Sequence, residues 1–326
     1  MTTLSNAIVP AVSVCNTSRL YDRFIAALKV RKIWDVGTLI LQMLGDFDGM
    51  SLTEKYAQVD KLKGWLDSFR PLPPAVVAEL KQLFDVRFTY NSNAIEGNTL
   101  TQSETQLVLE KGITVGGKTL IEHLEVVGHR DAIDYVEALA QQDTKIGEWE
   151  IRQIHSLLFM VIDRAEAGRY RQLDVKAAGT GYTYPPHYLI SELMTEFVEW
   201  LNSAAAQKMH PIDYAAEAHC RFVGIHPFRD GNGRTGRLLM NLLLLRLGYP
   251  VVVISNARRE AYIEALVQAQ QRDSLIVFQE LILEAAQESL VEILRVAATA
   301  TESQNKGKEF YKEMLTFLDS LISPGF

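Results

Sequence analysis

The chain has 326 residues, enough for one large helical domain with an extension or for two ordinary domains. Apolar residues make up 48% and charged residues 22%, a globular balance that excludes disorder over most of the chain. The 33 Lys and Arg against 40 Asp and Glu leave a net charge of −7, so no broad nucleic-acid surface and no direct nucleic-acid binding are expected.

From the N-terminus, no Lys or Arg precedes Arg19, and the short apolar run 7–14 is broken by Pro10. The features of a signal peptide are missing, and a cytoplasmic protein is expected. Only Cys15 and Cys220 are present, which supports neither a disulfide framework nor a cysteine metal site. Residues 1–73 read as an N-terminal helical region, closed by Pro71, Pro73 and Pro74. Val77, Leu80, Phe84 and Phe88 then keep helical spacing, as do most later segments, so the fold is expected to be mainly α. Residues 74–285 form the expected core and 286–326 a C-terminal helical extension, in which 301–308 is polar and 310–322 is a last short helix.

Residues 112–119 match the phosphate-loop expression GxxxxGK(S/T), and 158–163 resembles an apolar strand ending in Asp163. A phosphate loop needs a strand on its N-terminal side and a parallel sheet around it. Here Thr101 and Glu104 form a capping box for a helix that Gly112 would stop, and Ile151, Ile154, Leu158 and Val161 keep helical spacing. The match is read as a helix-to-helix loop. Further on, Leu173, Val175 and Ala177 alternate with polar residues, Gly179 to Gly181 supply a turn, and Tyr182 and Tyr184 follow, which predicts a small β-hairpin. A helix resumes with Leu189, Leu193, Phe197 and Trp200. The longest apolar stretch, 238–254, is interrupted by Asn241, Arg246, Gly248 and Pro250, so no membrane span is expected.

The run from His226 to Arg237, HPFRDGNGRTGR, carries the chemistry. A Gly-Asn-Gly turn entering a helix presents free backbone N–H groups and the positive end of the helix dipole, which suits a diphosphate. Arg234 and Arg237 lie three apart on one helical face, and their forks fit phosphate oxygens. Asp230 beside the turn can hold Mg²⁺, which needs few carboxylates when phosphates supply other oxygens. His226 can take a proton near neutral pH and so activate a hydroxyl. Phe228 is read as packing that fixes the loop.

This run resembles the HxFx(D/E)GNGRxxR signature of Fic-domain proteins, and the resemblance extends over roughly residues 80–285. It implies a Fic-type helical bundle with a small β-hairpin flap, and transfer of AMP from ATP, with Mg²⁺, to a Tyr, Thr or Ser hydroxyl of a target protein. By the same resemblance His226 is the base, Asp230 the metal ligand, and Gly231, Asn232 and Gly233 the cradle of the inner phosphates. Arg234 and Arg237 would bind the outer phosphates, and Tyr262 and Gln270 the nucleoside. Gln270 stands where many members carry Asn, and Arg272 where a Gly is common. A flap of Val175, Lys176, Ala177, Ala178, Gly179 and Tyr182 would align the target segment by strand-like pairing. A related branch, the Doc-type kinases, has Lys at the second glycine; Gly233 points to AMP transfer instead.

Residues 92–98 resemble the (S/T)xxxE(G/N) inhibitory motif of this family, with Ser92, Glu96 and Gly97 at its fixed positions and the inhibitory helix at about 90–98. A glutamate brought to Arg237 would take its fork in a bidentate pair and block the outer-phosphate site. Other readings of the same site are removal of AMP from a modified target, transfer of UMP or phosphate, and nucleotide sensing without turnover. A homodimer is a further expectation of the resemblance.

Overall fold

The computed structural model describes residues 49–176, 182–272, 274–305 and 307–320. Eleven α-helices are formed among them: α1 (Leu52–Ser68), α2 (Pro74–Ile95), α3 (Gln102–Lys111), α4 (Leu120–Ala140), α5 (Glu148–Phe159), α6 (Ile190–Leu201), α7 (Pro211–Ile225), α8 (Asn232–Arg246), α9 (Arg259–Arg272), α10 (Ile276–Asn305) and α11 (Glu309–Ser320). The starts follow local chemistry. Ser51 with Glu54, Thr101 with Glu104 and Thr119 with Glu122 make reciprocal capping boxes for α1, α3 and α4. Prolines open α2 and α7, where the missing N–H costs nothing.

The helix that follows the glycine turn, α8, is the axis of the molecule. Leu238, Leu239, Leu242 and Leu244 are fully buried on several sides of it, the mark of a core helix rather than a surface one. Each contributes about 1.5–3 kcal/mol of burial. α8 packs against α7, α4, α5 and the end of α2. Asn241, within this apolar helix, is buried and fully used. Its amide donates to Arg237 O and Val252 O and accepts from Val252 N–H, tying the chain after α8 back onto it.

Several expectations need correction. The helical stripe on α2 begins at buried Val76, while Val77 is half exposed; on α6 the buried residues are Ile190, Met194, Phe197 and Leu201. The boundary expected at 285 falls inside α10, which continues to Asn305 with a kink at Thr301. α1 packs on α10, and one apolar cluster joins Val59 of α1, Leu239 of α8 and Leu318 of α11, so both ends of the described chain rest on the main core, beside a small second cluster of Leu100, Val108 and Val126. No strand is formed among the described residues. Where the hairpin is expected, the described residues form one antiparallel bridge, Lys176 to Thr183, and Ala177, Ala178 and Gly179 lie outside the described residues.

Candidate active site

The loop between α7 and α8 is held by its own side chains. Helix α7 ends at His226, whose backbone is left-handed (φ 53°, ψ 57°) and is the sole non-glycine with positive φ among the described residues. Such a conformation is strained for a β-substituted residue and persists only where neighbours enforce it. Two residues on, Phe228 is fully buried and exchanges hydrogen bonds of 2.9 Å with the side chain of Asn232, donating its N–H to Oδ1 and accepting from Nδ2. The Asn232 amide is therefore a staple across the turn, and only its backbone N–H remains for an anion. Gly231 has φ +74°, and a Cβ there would fall 2.3 Å from the Phe159 ring. Glycine is required for both reasons.

Helix α8 starts on this turn. Its first intrahelical bond is from Thr235 N–H to Gly231 O, so the N–H groups of Asn232, Gly233 and Arg234 precede the ladder and form an anion cradle. Asp230 at its rim is 73% exposed and accepts from Gly231 N–H at 2.6 Å. No group of three or more His, Cys, Asp or Glu that could hold a metal is formed among the described residues. A single open carboxylate beside a phosphate cradle does fit Mg²⁺, whose other ligands are phosphate oxygens and water.

The imidazole of His226 lies face to face with Tyr184, ring centroids 3.8 Å apart. Its Nδ1 is 3.3 Å from Val223 O, so Nδ1–H donates there and Nε2 keeps its lone pair. Burial, aided by the Arg171 charge, lowers its pKa to about 4, and it is neutral at physiological pH.

The end of α2 closes the site from the other side. Arg237 is 1% exposed, and its fork is divided among four acceptors. Nε donates to Ser92 Oγ at 3.1 Å, one terminal nitrogen to Ser92 O at 2.8 Å and Glu96 Oε1 at 2.7 Å, and the other to the Tyr262 hydroxyl at 3.1 Å. The contact with Glu96 thus uses one carboxylate oxygen and not a bidentate pair, because Ser92 and Tyr262 occupy the rest of the fork. A Cβ on Gly233 would lie 2.3 Å from the same Glu96 oxygen. The carboxylate consequently rests against the first turn of α8, at the mouth of the cradle. Although burial works in the opposite direction, the Arg237 charge and hydrogen bond hold the Glu96 carboxyl below the ordinary carboxylate range. Gly97, with φ +101°, turns the chain out of α2 directly after it. Arg234 is paired separately, with Glu125 at 2.8 Å, and Glu125 accepts from Asn98 at 2.9 Å.

A family model for the Fic/DOC family matches residues 145–244. The solved fragment of Fic-1 from C. elegans, residues 134–508 of that protein, is 30% identical with a TM-score of 0.67, covering 77% of this chain and 74% of that one. The chain belongs to the Fic/DOC family. A Fic domain containing signaling protein from Bacteroides thetaiotaomicron is similar as well, at 29% identity and a TM-score of 0.70 over 74% of this chain and 98% of that one. Among curated relatives, protein adenylyltransferase Fic of Culex quinquefasciatus is 37% identical over 221 residues, 68% of this chain and 44% of the relative. That of Drosophila grimshawi is 41% identical over 184 residues, 56% of this chain and 38% of the relative. The chain thus spans less than half the length of these curated relatives.

The structure of this Fic domain also sorts the residues expected to touch a nucleoside. Tyr262 is 1% exposed and packs against Phe278 and His219, its hydroxyl shared between Arg237 and His219 Nε2. It orients Arg237 and offers no open ring face. Gln270 is half-buried on α9. Lys118, the lysine of the phosphate-loop match, donates to Thr99 O at 2.5 Å and pairs with Glu104, with no strand beside it among the described residues. Three contributors escape a reading of contiguous sequence. His155 accepts from Gly168 N–H at Nδ1, donates from Nε2 to Asp230 O at 3.0 Å, and stacks on Phe228 at 3.7 Å. Arg171 and Tyr184 reach His226 from 55 and 42 residues upstream, respectively, counted by number. Their only sequence signal is that Arg171 stands two residues before the segment read as a hairpin, and Tyr184 closes it.

Proposed function

We propose that this Fic protein is a protein adenylyltransferase that transfers AMP from ATP to a Tyr, Thr or Ser hydroxyl of a target protein and is restrained by its own Glu96. The observation that carries the reading is a neutral imidazole on the loop that leads into an anion cradle, with the arginine one turn further held by an intramolecular carboxylate. The names of the curated relatives and the fold support the same reaction. In this reading His226 Nε2 takes the proton of the target hydroxyl, whose oxygen attacks the α-phosphorus while pyrophosphate leaves. The N–H groups of 232–234 hold the α- and β-phosphates, and Arg237, once free of Glu96, and Arg234 hold the outer charge. Asp230 would hold Mg²⁺, which supplies charge neutralisation on the phosphates.

Gly233 favours AMP over phosphate as the transferred group. A larger residue there would collide with Glu96, so glycine also keeps room for the brake. ATP labelled at the α-phosphate and, separately, at the γ-phosphate tests the proposal with Glu96→Gly protein and a cell lysate. Protein-bound label from the α position alone is expected. Label from the γ position alone would establish phosphate transfer and overturn it.

A further inference from the structure

The chemistry above leaves a buried cation beside the base without a role. Arg171 lies outside every helix, yet its side chain is 1% exposed. Its guanidinium donates to three carbonyl oxygens from separate parts of the chain: Nε to His226 at 2.8 Å, one terminal nitrogen to Leu173 at 3.1 Å, the other to Pro185 at 2.5 Å. Its backbone N–H donates to Pro227 O at 2.9 Å. The nearest carboxylate, Asp174, is 3.9 Å away and accepts at 2.8 and 2.9 Å from the N–H and Nδ1 of His187. A guanidinium buried against neutral carbonyls, with its ion pair long and made to an exposed carboxylate, bears a desolvation cost that an apolar residue would avoid.

The three carbonyls explain why arginine is there. Leu173 starts, and Pro185 directly follows, the segment that the Fic resemblance assigns to target alignment, and His226 carries the base. We infer that Arg171 is a positioning residue for group transfer, a bracket that fixes the left-handed turn at His226 to both ends of the target-aligning segment. The inference rests on the proposed reaction and adds a residue to it.

Two further contacts make the bracket a unit. Tyr184 precedes Pro185 and stacks on the His226 imidazole, so a shift of Pro185 moves the ring that covers the base. Tyr170 packs on Phe228 at 5.5 Å, and Gly168 N–H is bound by His155, which also holds Asp230 O. Segment 168–171 is thereby seated along the loop 226–231 at several points. Only the planar fork of arginine reaches three acceptors in fixed directions; lysine offers a point charge.

The test uses full-length protein carrying Glu96→Gly, with Arg171→Gln or Arg171→Lys added. Misplacement of a reacting group by about 1 Å costs on the order of 10²-fold, so turnover on target protein is expected to fall about that much in both variants. The Kd for Mg²⁺-ATP is expected to stay within about twofold, since the nucleotide cradle is untouched. A histidine NMR titration gives a readout independent of activity. His226 is faced by Arg171, Glu96 and Asp230, with the Tyr184 ring against it. Loss of the Arg171 charge in Arg171→Gln should move the His226 titration upward, whereas Arg171→Lys should leave it in place while turnover still falls.

Unchanged turnover in both variants overturns the inference, as does loss of ATP binding in proportion to turnover, which marks a general structural role. An unmoved His226 titration in a folded Arg171→Gln protein also overturns it. Should Arg171→Gln fail to fold, Arg171→Lys decides alone, with reduced turnover at unchanged Kd supporting the bracket and full turnover refuting it. If Glu96→Gly protein transfers no AMP, the reaction assignment has failed. The titration then still decides whether Arg171 governs His226.

Discussion

Replacing Glu96 with glycine measures the restraint that this residue places on Arg237. The contact removed is one charge-assisted hydrogen bond of 2.7 Å; the bonds from Arg237 to Ser92 and Tyr262 survive the substitution. A hydrogen bond to a charged group is worth about 1.5–3 kcal/mol. The Glu96 side chain is 36% exposed, so solvent screening moves the value toward the lower end of that range. At about 1.4 kcal/mol per factor of ten, AMP transfer should rise roughly 10- to 100-fold. The fold should tolerate the change, because position 96 is the C-cap of α2 and the next residue is already glycine. The assay is the initial rate of α-label transfer to protein at equal enzyme and nucleotide concentrations, with Glu96→Gln as a second variant that removes charge but keeps bulk. Equal rates for wild type and Glu96→Gly refute the brake. Activation by Glu96→Gly with none by Glu96→Gln would mean that bulk at the cradle, and not the ion pair, restrains the site.

Arg237→Ala in the Glu96→Gly background should abolish transfer and weaken nucleotide binding in calorimetry; retained binding would remove Arg237 from the phosphate site. His226→Ala should lower turnover by about 10²- to 10⁴-fold. Because burial holds His226 near 4, the rate of Glu96→Gly protein should be flat from pH 8 to about 5 and fall only below that, and an acid limb near 6.5 would contradict the assigned environment. Lys118→Ala should leave ATP affinity unchanged, since Lys118 serves Thr99 and Glu104; loss of binding would revive the phosphate-loop reading. Stability should also decline in acid. His155 and His219 are lowered to about 4 by burial, so the unfolded chain takes up protons near 6.5 that the folded chain refuses. Their contribution is present above 6.5 and is lost as pH falls toward 4, by up to about 1.4 kcal/mol per pH unit for each histidine. Calorimetry should give a lower Tm at pH 5 than at pH 7, and a higher one would refute the assignment.

The candidate catalytic loop was legible because its parts are contiguous. A glycine turn, two arginines and a histidine within twelve residues can be related to one another by helix geometry alone. The contact of Glu96 with Arg237 crosses 141 residues, and it was legible only through a second motif. What could not be read is how each polar group is shared. Asn232 is a residue of the cradle motif, but its amide closes the loop; Tyr262 lies on the helix expected to meet the nucleoside, but its hydroxyl braces Arg237. Arg171 and Tyr184 converge on the loop from irregular segments, where no periodicity reports a direction, and His155 lies on the buried face of α5 but meets Asp230 across 75 residues. The boundary expected at 285 failed for a related reason. Polarity at 301–308 reflects a kink and a helix junction, while the packing of α1 on α10 keeps both ends of the described chain on one core.

The most direct test of the central claim is peptide mass spectrometry of lysate proteins after incubation with Mg²⁺-ATP and Glu96→Gly protein, beside the Glu96→Gly, His226→Ala double variant. The account predicts a mass gain of one AMP on a Tyr, Thr or Ser side chain, present with the first protein and absent with the second. A phosphate or UMP gain, an AMP adduct that persists without His226, or no adduct with either protein would contradict it.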